Sequence, residues 1–478
     1  MKKQLLYILF PTVIFAILLT GIVLRQINKH NEQNPNGETA NQLQSAIVAE
    51  YKNAIAELKS RQDIRLSIDI STQTQIGTET FQENIDQTLF ITGIAEGDLA
   101  YDSKETITLG DHTITNQEIC KDGIIYFIIN NTGFYSNASV SECLNRHTPA
   151  ATLNADLYQT VTYSKTDSGT TISFLDPIAP ESWAVENDAV LTVAEGKAFL
   201  NKNNQLTGSE YTVIYHHNTA TVTKKVSVSI SKADSAVTIP ITDDFTAVSN
   251  PEAILLLERA CGYLMQSNAI SAQGTETISC ELFGDIRKQT IQLNMFESND
   301  AFSAKIVADT SLTNSSRGDA PFQNKETVRF LNNSCTVITD GTESVKEISA
   351  QDMRLTCQNL LLGTILLPAD ISQVQLTDNG DTLRIDFTPT DSFGQTVLQN
   401  ISQTLYQKSD IFLELSAYYT TNEITCHLTL DKHTGIPLSS GIHYRGSHSI
   451  NEYSYATVFE AQQHYTVASA TAENDINE

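Results

Sequence analysis

The chain lacks most of the short motifs that carry chemistry. No Cys-x-x-Cys pair, His-Glu-x-x-His, Gly-x-Ser-x-Gly, Walker loop or Gly-x-Gly-x-x-Gly occurs in it. This excludes zinc ribbons and thioredoxin-type redox pairs, and gives no motif support for a zinc protease, a nucleophile-elbow hydrolase or a nucleotide site. Positive charge is scarce: 30 Lys and Arg stand against 56 Asp and Glu, a formal net charge of −26. A field of that sign repels phosphate backbones, so no nucleic-acid partner is expected. With 11 prolines and 22 glycines, low-complexity character is absent. There is one tryptophan, Trp183; beside Pro177 and Pro180 it reads as buried packing rather than the lining of a loop or sugar-like site.

One long apolar run is present, Leu5 to Leu24 (LLYILFPTVIFAILLTGIVL), between Lys2-Lys3 and Arg25. At about 1.5 Å per residue it reaches about 30 Å, the thickness of a bilayer's hydrocarbon core. Ile22-Val23-Leu24-Arg25 offers no small-x-small cleavage site, so a retained signal-anchor is expected over a cleaved signal. Charge around the run favours a cytoplasmic N-terminus and an exported remainder. Residues 1–29 then form a cytoplasmic stub and transmembrane anchor, and residues 30–41 a polar spacer. The expected location is a cell membrane, crossed once, with the bulk of the chain extracytoplasmic.

In an exported chain, cysteines can pair. Of the seven, Cys120 and Cys143 are spaced almost as Cys335 and Cys357 are. Each pair joins a strand-like segment to a helix-like one, which makes Cys120–Cys143 and Cys335–Cys357 candidate disulfides. Buried free thiols are the equal alternative, and the odd count leaves at least one cysteine outside any internal pair. Five of ten histidines fall between His427 and His464. None has metal-ligand spacing, so no metal and no cofactor is expected. Ser229-Ile230-Ser231-Lys232 matches a Ser-x-x-Lys nucleophile pattern, but it sits in the alternating strand VSVSIS rather than at a helix start, and is rejected. No catalytic residue is assigned and no enzyme is expected.

About 450 residues beyond the anchor exceed what one core supports. Short alternating runs rich in Val, Ile, Thr, Tyr and Phe predict antiparallel sheet. Helical spacing predicts a helix over Asn41–Lys59, through Leu43, Ile47, Tyr51, Ile55 and Leu58. Asn250-Pro251-Glu252 starts another, Pro251–Met265. Ser349-Ala350-Gln351-Asp352 reads as a capping box, and Phe393–Leu405 as a further helix. Ile124–Ile129 (IIYFII) suits a strand covered on both faces.

The second half repeats the first in order. Helix and strand Gln42–Ile70 correspond to Pro251–Leu282. QTVTYSKTDSGTTISF (Gln159–Phe174) aligns without a gap with SQVQLTDNGDTLRIDF (Ser372–Phe387), and LNKNNQLTG (Leu200–Gly208) with LDKHTGIPL (Leu430–Leu438). This predicts an α+β chain with tandem domains at 42–235 and 251–465, a linker at 236–250 and a loose polar tail at 466–478.

The unit of one helix, a run of strands, a mid-domain helical stretch and a closing strand pair resembles the LolA-like family of bacterial envelope lipoprotein carriers and lipid-binding lipoproteins. The resemblance rests on Asp122-Gly123-Ile124-Ile125-Tyr126-Phe127 and Leu430-Asp431-Lys432-His433-Thr434-Gly435, with the later strand to Glu460. It implies two curved antiparallel half-barrel sheets, each with helices on its concave face. The function it implies is non-enzymatic binding in a bacterial envelope, with a lipid or other apolar ligand in the concave faces or an envelope protein as partner. The alternative is a sensory or structural surface module with no small-molecule ligand.

Overall fold

Residues alternating with period two build strands, and those spaced at 3.6 build helices. Along Ile64 to Ile70, the computed structural model of the chain buries Ile64, Leu66 and Ile68, while Arg65, Ser67 and Asp69 point the other way. The structure describes residues 40–61, 63–93, 100–137, 155–177, 190–232, 237–239, 244–281, 285–298, 301–314, 322–362, 371–390, 419–450, 453–469 and 471–477. The Leu5–Leu24 run, the Phe393–Leu405 segment, Trp183 and Cys143 lie outside them. Among the described residues no helix is long and apolar enough to cross a membrane.

The chain enters through α1 (Ala40–Ser60). Six strands follow: β1 (Ile64–Ile76), β2 (Glu79–Thr92), β3 (Ala100–Leu109), β4 (His112–Lys121), β5 (Ile124–Ile129) and β6 (Thr132–Asn137). Five more are β7 (Tyr158–Thr166), β8 (Gly169–Pro177), β9 (Val190–Asn201), β10 (Leu206–His217) and β11 (Ala220–Ser231). A short β12 (Thr246–Ala247) leads into α2 (Pro251–Gln266). Then come β13 (Ala269–Cys280), β14 (Asp285–Ser298), β15 (Ala301–Asn314), β16 (Phe322–Leu331), β17 (Ser334–Thr339) and β18 (Thr342–Lys346). Helix α3 (Ala350–Leu362) precedes β19 (Ile371–Asp378), β20 (Thr382–Pro389), β21 (Tyr419–Asp431), β22 (Pro437–Ile450) and β23 (Tyr453–Val467), and α4 (Ala472–Asn477) ends the described chain.

These strands form two large antiparallel sheets, which makes the described chain β-dominated with a few helices. The first runs β12-β6-β5-β4-β3-β2-β1-β11-β10-β9-β8-β7, and the second β18-β17-β16-β15-β14-β13-β23-β22-β21-β20-β19. Apart from β12, the two orders are the same. In each, six strands step outward from the first, and five later strands return so that the last pairs with the first (β1 with β11, β13 with β23). The gapless segments of the two halves fall on matching hairpins: Val161 faces Phe174 across β7–β8, and Val374 faces Phe387 across β19–β20. All four side chains are buried.

Helix α1 buries Ile47, Tyr51, Ala54 and Leu58, and Tyr51 meets Phe174 with ring centroids 5.1 Å apart. The α3 start is capped by Ser349: Asp352 N donates to Ser349 Oγ (3.1 Å), and the Ser349 hydroxyl in turn donates to Asp352 Oδ2 (2.6 Å), in place of the backbone bond that would complete a capping box. Asn250 stands at the cap position of α2 but its side chain makes no cap bond, and Pro251 is the first helical residue. Strand β5 is covered on both faces. Ile125, Phe127 and Ile129 join the main core, while Tyr126 packs under Val237 and Phe245 of the segment leading to α2. The polar tail is not loose throughout: β23 runs to Val467, and α4 buries Ala472 and Ile476 because it lies against β13–β15.

Helix α2 buries nine of its sixteen residues, most of them apolar, as a helix largely enclosed by protein does. It contacts β3, β4, β5 and β6 of the first sheet, and β19, β22 and α3 of the second. Gly262 permits its close approach: a Cβ there would stand 2.8 Å from Leu109 Cδ1 and 2.9 Å from Leu109 Cβ. Arg259 Nη2 donates to Glu83 Oε2 at 2.7 Å, and its Nε lies 2.7 Å from Oε1 as an ion-pair contact without hydrogen-bond geometry, on a Glu83 side chain that is only 3% exposed. Gln266 holds the backbone of Gln82 from both directions (3.1 Å and 2.8 Å). Away from the helix, Tyr215 Oη donates to His433 O (3.1 Å), and the His217 and His433 rings stack 3.6 Å apart.

Helix propensity alone favours Gly262→Ala by about 0.5–1 kcal/mol. The clash with Leu109 opposes this, and the expected outcome is a net loss of about 1–3 kcal/mol in urea unfolding, larger for Gly262→Val. Arg259→Met is expected to cost on the order of 3 kcal/mol by stranding a buried carboxylate, and adding Glu83→Leu to recover much of it, in a double-mutant cycle.

Candidate functional site

The cysteine candidates settle in different places. Cys120 is buried on β4, and its expected partner Cys143 lies outside the described residues. Cys335, on β17, and Cys357, in α3, are buried free thiols, so the Cys335–Cys357 disulfide expected from spacing is not formed. The reason is local. Cys357 is an inward position of α3 beside Met353 and Leu361, and Cys335 pairs across strands with Phe330. Burial pushes the thiols of Cys261, Cys357 and Cys426 up to about 12, and that of Cys335 also upward.

Three histidines of the second sheet, His427, His443 and His464, share one face. On β21, β22 and β23 the register places Thr425, His443 and Glu460 in one row, His427, Gly441 and Gln462 in the next, and Thr429, Ser439 and His464 in the third. The His427 ring occupies the space that a side chain at Gly441 would need; a Cβ there would lie 2.4 Å from its Cε1. Burial, and then the Arg384 cation, hold His427 below the usual histidine range. His443 Nδ1 is 3.2 Å from Glu460 Oε1. Among the described residues no group of three or more His, Cys, Asp or Glu is placed to hold a metal. Ser229 lies in mid-strand opposite Ser67. His216 and His217 face opposite ways: the first bonds Thr221 Oγ1 (2.9 Å), and the second stacks on His433 between the sheets.

What sequence reasoning missed is a groove on the first sheet. Its volume is about 1340 Å³, and it runs from Thr108 on β3 to Thr162 on β7. The register explains its floor. Across β2, β1, β11, β10, β9, β8 and β7, one row reads Asp86, Asp69, Ser227, Glu210, Lys197, Ser173 and Thr162. The adjoining row carries Lys225 and Glu195. Phe174, which meets α1, belongs to the opposite face from its neighbour Ser173, since successive side chains alternate. The groove therefore lies on the side away from α1 and α2. Large side chains fill the helix side, while the shorter Ser, Thr and Asp side chains of the other face leave the groove open. A smaller cavity of about 500 Å³ adjoins it and shares Asp69 and Asp86.

Six charged side chains line the groove: Asp69, Asp86, Glu195, Lys197, Glu210 and Lys225. Among the described residues none of the six forms an ion pair or a side-chain hydrogen bond, although Glu210 and Lys197 are cross-strand partners. Their donors and acceptors are presented to the groove. No His or Cys lines it, so the arrangement offers hydrogen bonds and charge to a bound molecule rather than a nucleophile with its base. The sequence signal was the polar half of each alternation, spread over strands far apart in the chain.

Native protein at pH 8 is expected to leave Cys261, Cys335, Cys357 and Cys426 unlabelled by iodoacetamide. All four should label in guanidinium without prior reduction, as read by peptide mass spectrometry. Labelling of Cys335 or Cys357 only after a reductant would restore the disulfide.

No protein-family model matches the chain, and no curated protein matches it. Among solved structures it is similar to LprF from Mycobacterium bovis (11% identity, TM-score 0.26, covering 41% of this chain and 95% of that one). It is also similar to the Mycobacterium tuberculosis lipoprotein LppX (12%, TM-score 0.24, 41% and 99%). A third is a putative AttH from Nitrosomonas europaea (10%, TM-score 0.15, 84% and 92%). At these identities and scores the likenesses transfer neither ligand nor activity to this chain.

Proposed function

We propose that this protein is a non-enzymatic binding protein, anchored in a membrane by Leu5–Leu24 with its two sheets on the extracytoplasmic side of a bacterial envelope. The observation that carries the binding reading is the groove of about 1340 Å³ whose six charged side chains are unengaged among the described residues. The ligand it favours is polar. An apolar ligand such as a lipid needs room between helices and sheet, and there the described side chains form one buried core reaching from Ile47 to Tyr465. The shared strand order and the matching Val–Phe hairpins favour an origin by tandem duplication of one unit. The same packed core also favours a second reading, a surface module that engages an envelope protein with no small-molecule ligand.

Native mass spectrometry of the full chain after gentle detergent extraction tests the ligand class. The expected spectrum shows no co-purifying lipid; a stoichiometric lipid adduct overturns the polar reading. An environment-sensitive dye on Ser227→Cys, at the groove floor, should respond to aqueous envelope extract and not to extracted lipid. Protease accessibility in intact cells checks location, and protection of both sheets would reverse the proposed orientation.

A further inference from the structure

The charges of the groove are arranged by sign. At one end, Asp69 and Asp86 face each other directly across β1 and β2. In the centre, Glu210 faces Ser227 on one side and Lys197 on the other, while Thr212 separates Lys225 from Glu195 in the next row. The central part is thus a checkerboard of ammonium donors and carboxylate acceptors set among hydroxyls. Such a surface has little net attraction for a ligand of one charge sign. It matches a ligand whose every group both donates and accepts, which is the property of a hydroxyl. Charged partners strengthen such bonds relative to neutral ones.

Size and charge narrow the class further. The floor crosses seven adjacent strands at about 4.8 Å each, roughly 29 Å between the outermost, so a chain of several units is accommodated rather than one small molecule. Acids outnumber bases four to two in the lining, and the whole chain carries −26. Polyanions are therefore disfavoured. Tyr163 and Tyr211 are among the lining residues, but by register they pair with Ile172 and Val226 of the helix-facing side, so the charged and hydroxyl side chains carry the recognition.

We infer that the groove binds a neutral, hydroxyl-rich chain, an oligosaccharide, laid across β2 to β7 with Glu210 and Lys197 at its centre. The inference rests on the polar-groove reading above.

The test is isothermal titration of the full chain in nanodiscs with cellohexaose, maltohexaose and chitohexaose, and with hexalysine and heparin as charged probes. At least one neutral hexasaccharide should bind with Kd on the order of 10⁻⁴ M. Glu210→Gln and Lys197→Met should each weaken it about tenfold or more, with melting temperature unchanged. Binding that is equal in wild type and both variants overturns the inference. Binding of hexalysine or heparin, lost in the groove variants, with the neutral sugars silent, also overturns it while leaving the polar groove standing. If no probe binds and a lipid adduct is found by native mass spectrometry, both readings fall.

Discussion

Helix α2 is the constraint on which the rest depends. It is the opening helix of the second half in sequence, yet it also closes the buried face of β3 to β6 in the first. Ala253, Ile254, Leu257, Ala260, Tyr263 and Leu264 of this helix are all buried, and Met265 alone is exposed. Each large apolar side chain enclosed this way contributes about 1.5–3 kcal/mol. The Arg259–Glu83 clasp adds less net stability than its geometry suggests, because both charges give up water. What it adds is position: with Gln266 on the Gln82 backbone it ties α2 to β2 at two neighbouring points.

The two faces of the first sheet do opposite things. The helix side is packed with Tyr51, Phe174 and Leu89 and has no use for water. The other side carries Asp, Glu, Lys, Ser and Thr into a groove where the charged groups remain unengaged. A sheet spends one face on stability and can leave the second for recognition, since strand geometry assigns alternate residues to each without conflict. In the second sheet the corresponding face is lined by His427, His443 and His464, and Gly441 gives the His427 ring its seat.

Much of this fold was legible in the sequence where local rules act. Hairpin pairs such as Val161 with Phe174 followed from period two and an Asp-Ser-Gly turn. The α3 start followed from Ser349 and Asp352. The outcomes that escaped are those decided by distant partners. Spacing alone suggested Cys335–Cys357, but helical phase turns Cys357 inward and strand pairing takes Cys335 to Phe330. The Asn250-Pro251-Glu252 start signal placed α2 without saying that two sheets would share it. The groove could not be seen because Asp69, Lys197 and Glu210 reach one floor only through β-register between strands remote in the chain. The terminal helix was missed because Ala472 and Ile476 are few among polar neighbours.

The shared helix also bears on how the chain becomes folded as it is made. The first sheet closes only when β11 returns to β1, a long-range pairing, and its buried face stays open until residues 251–266 have emerged. The halves resemble one another, but they are not independent folding events. The first must wait, with Leu109, Ile114 and Phe134 uncovered, for the opening helix of the second. During synthesis that interval is when the chain is most open to misassembly.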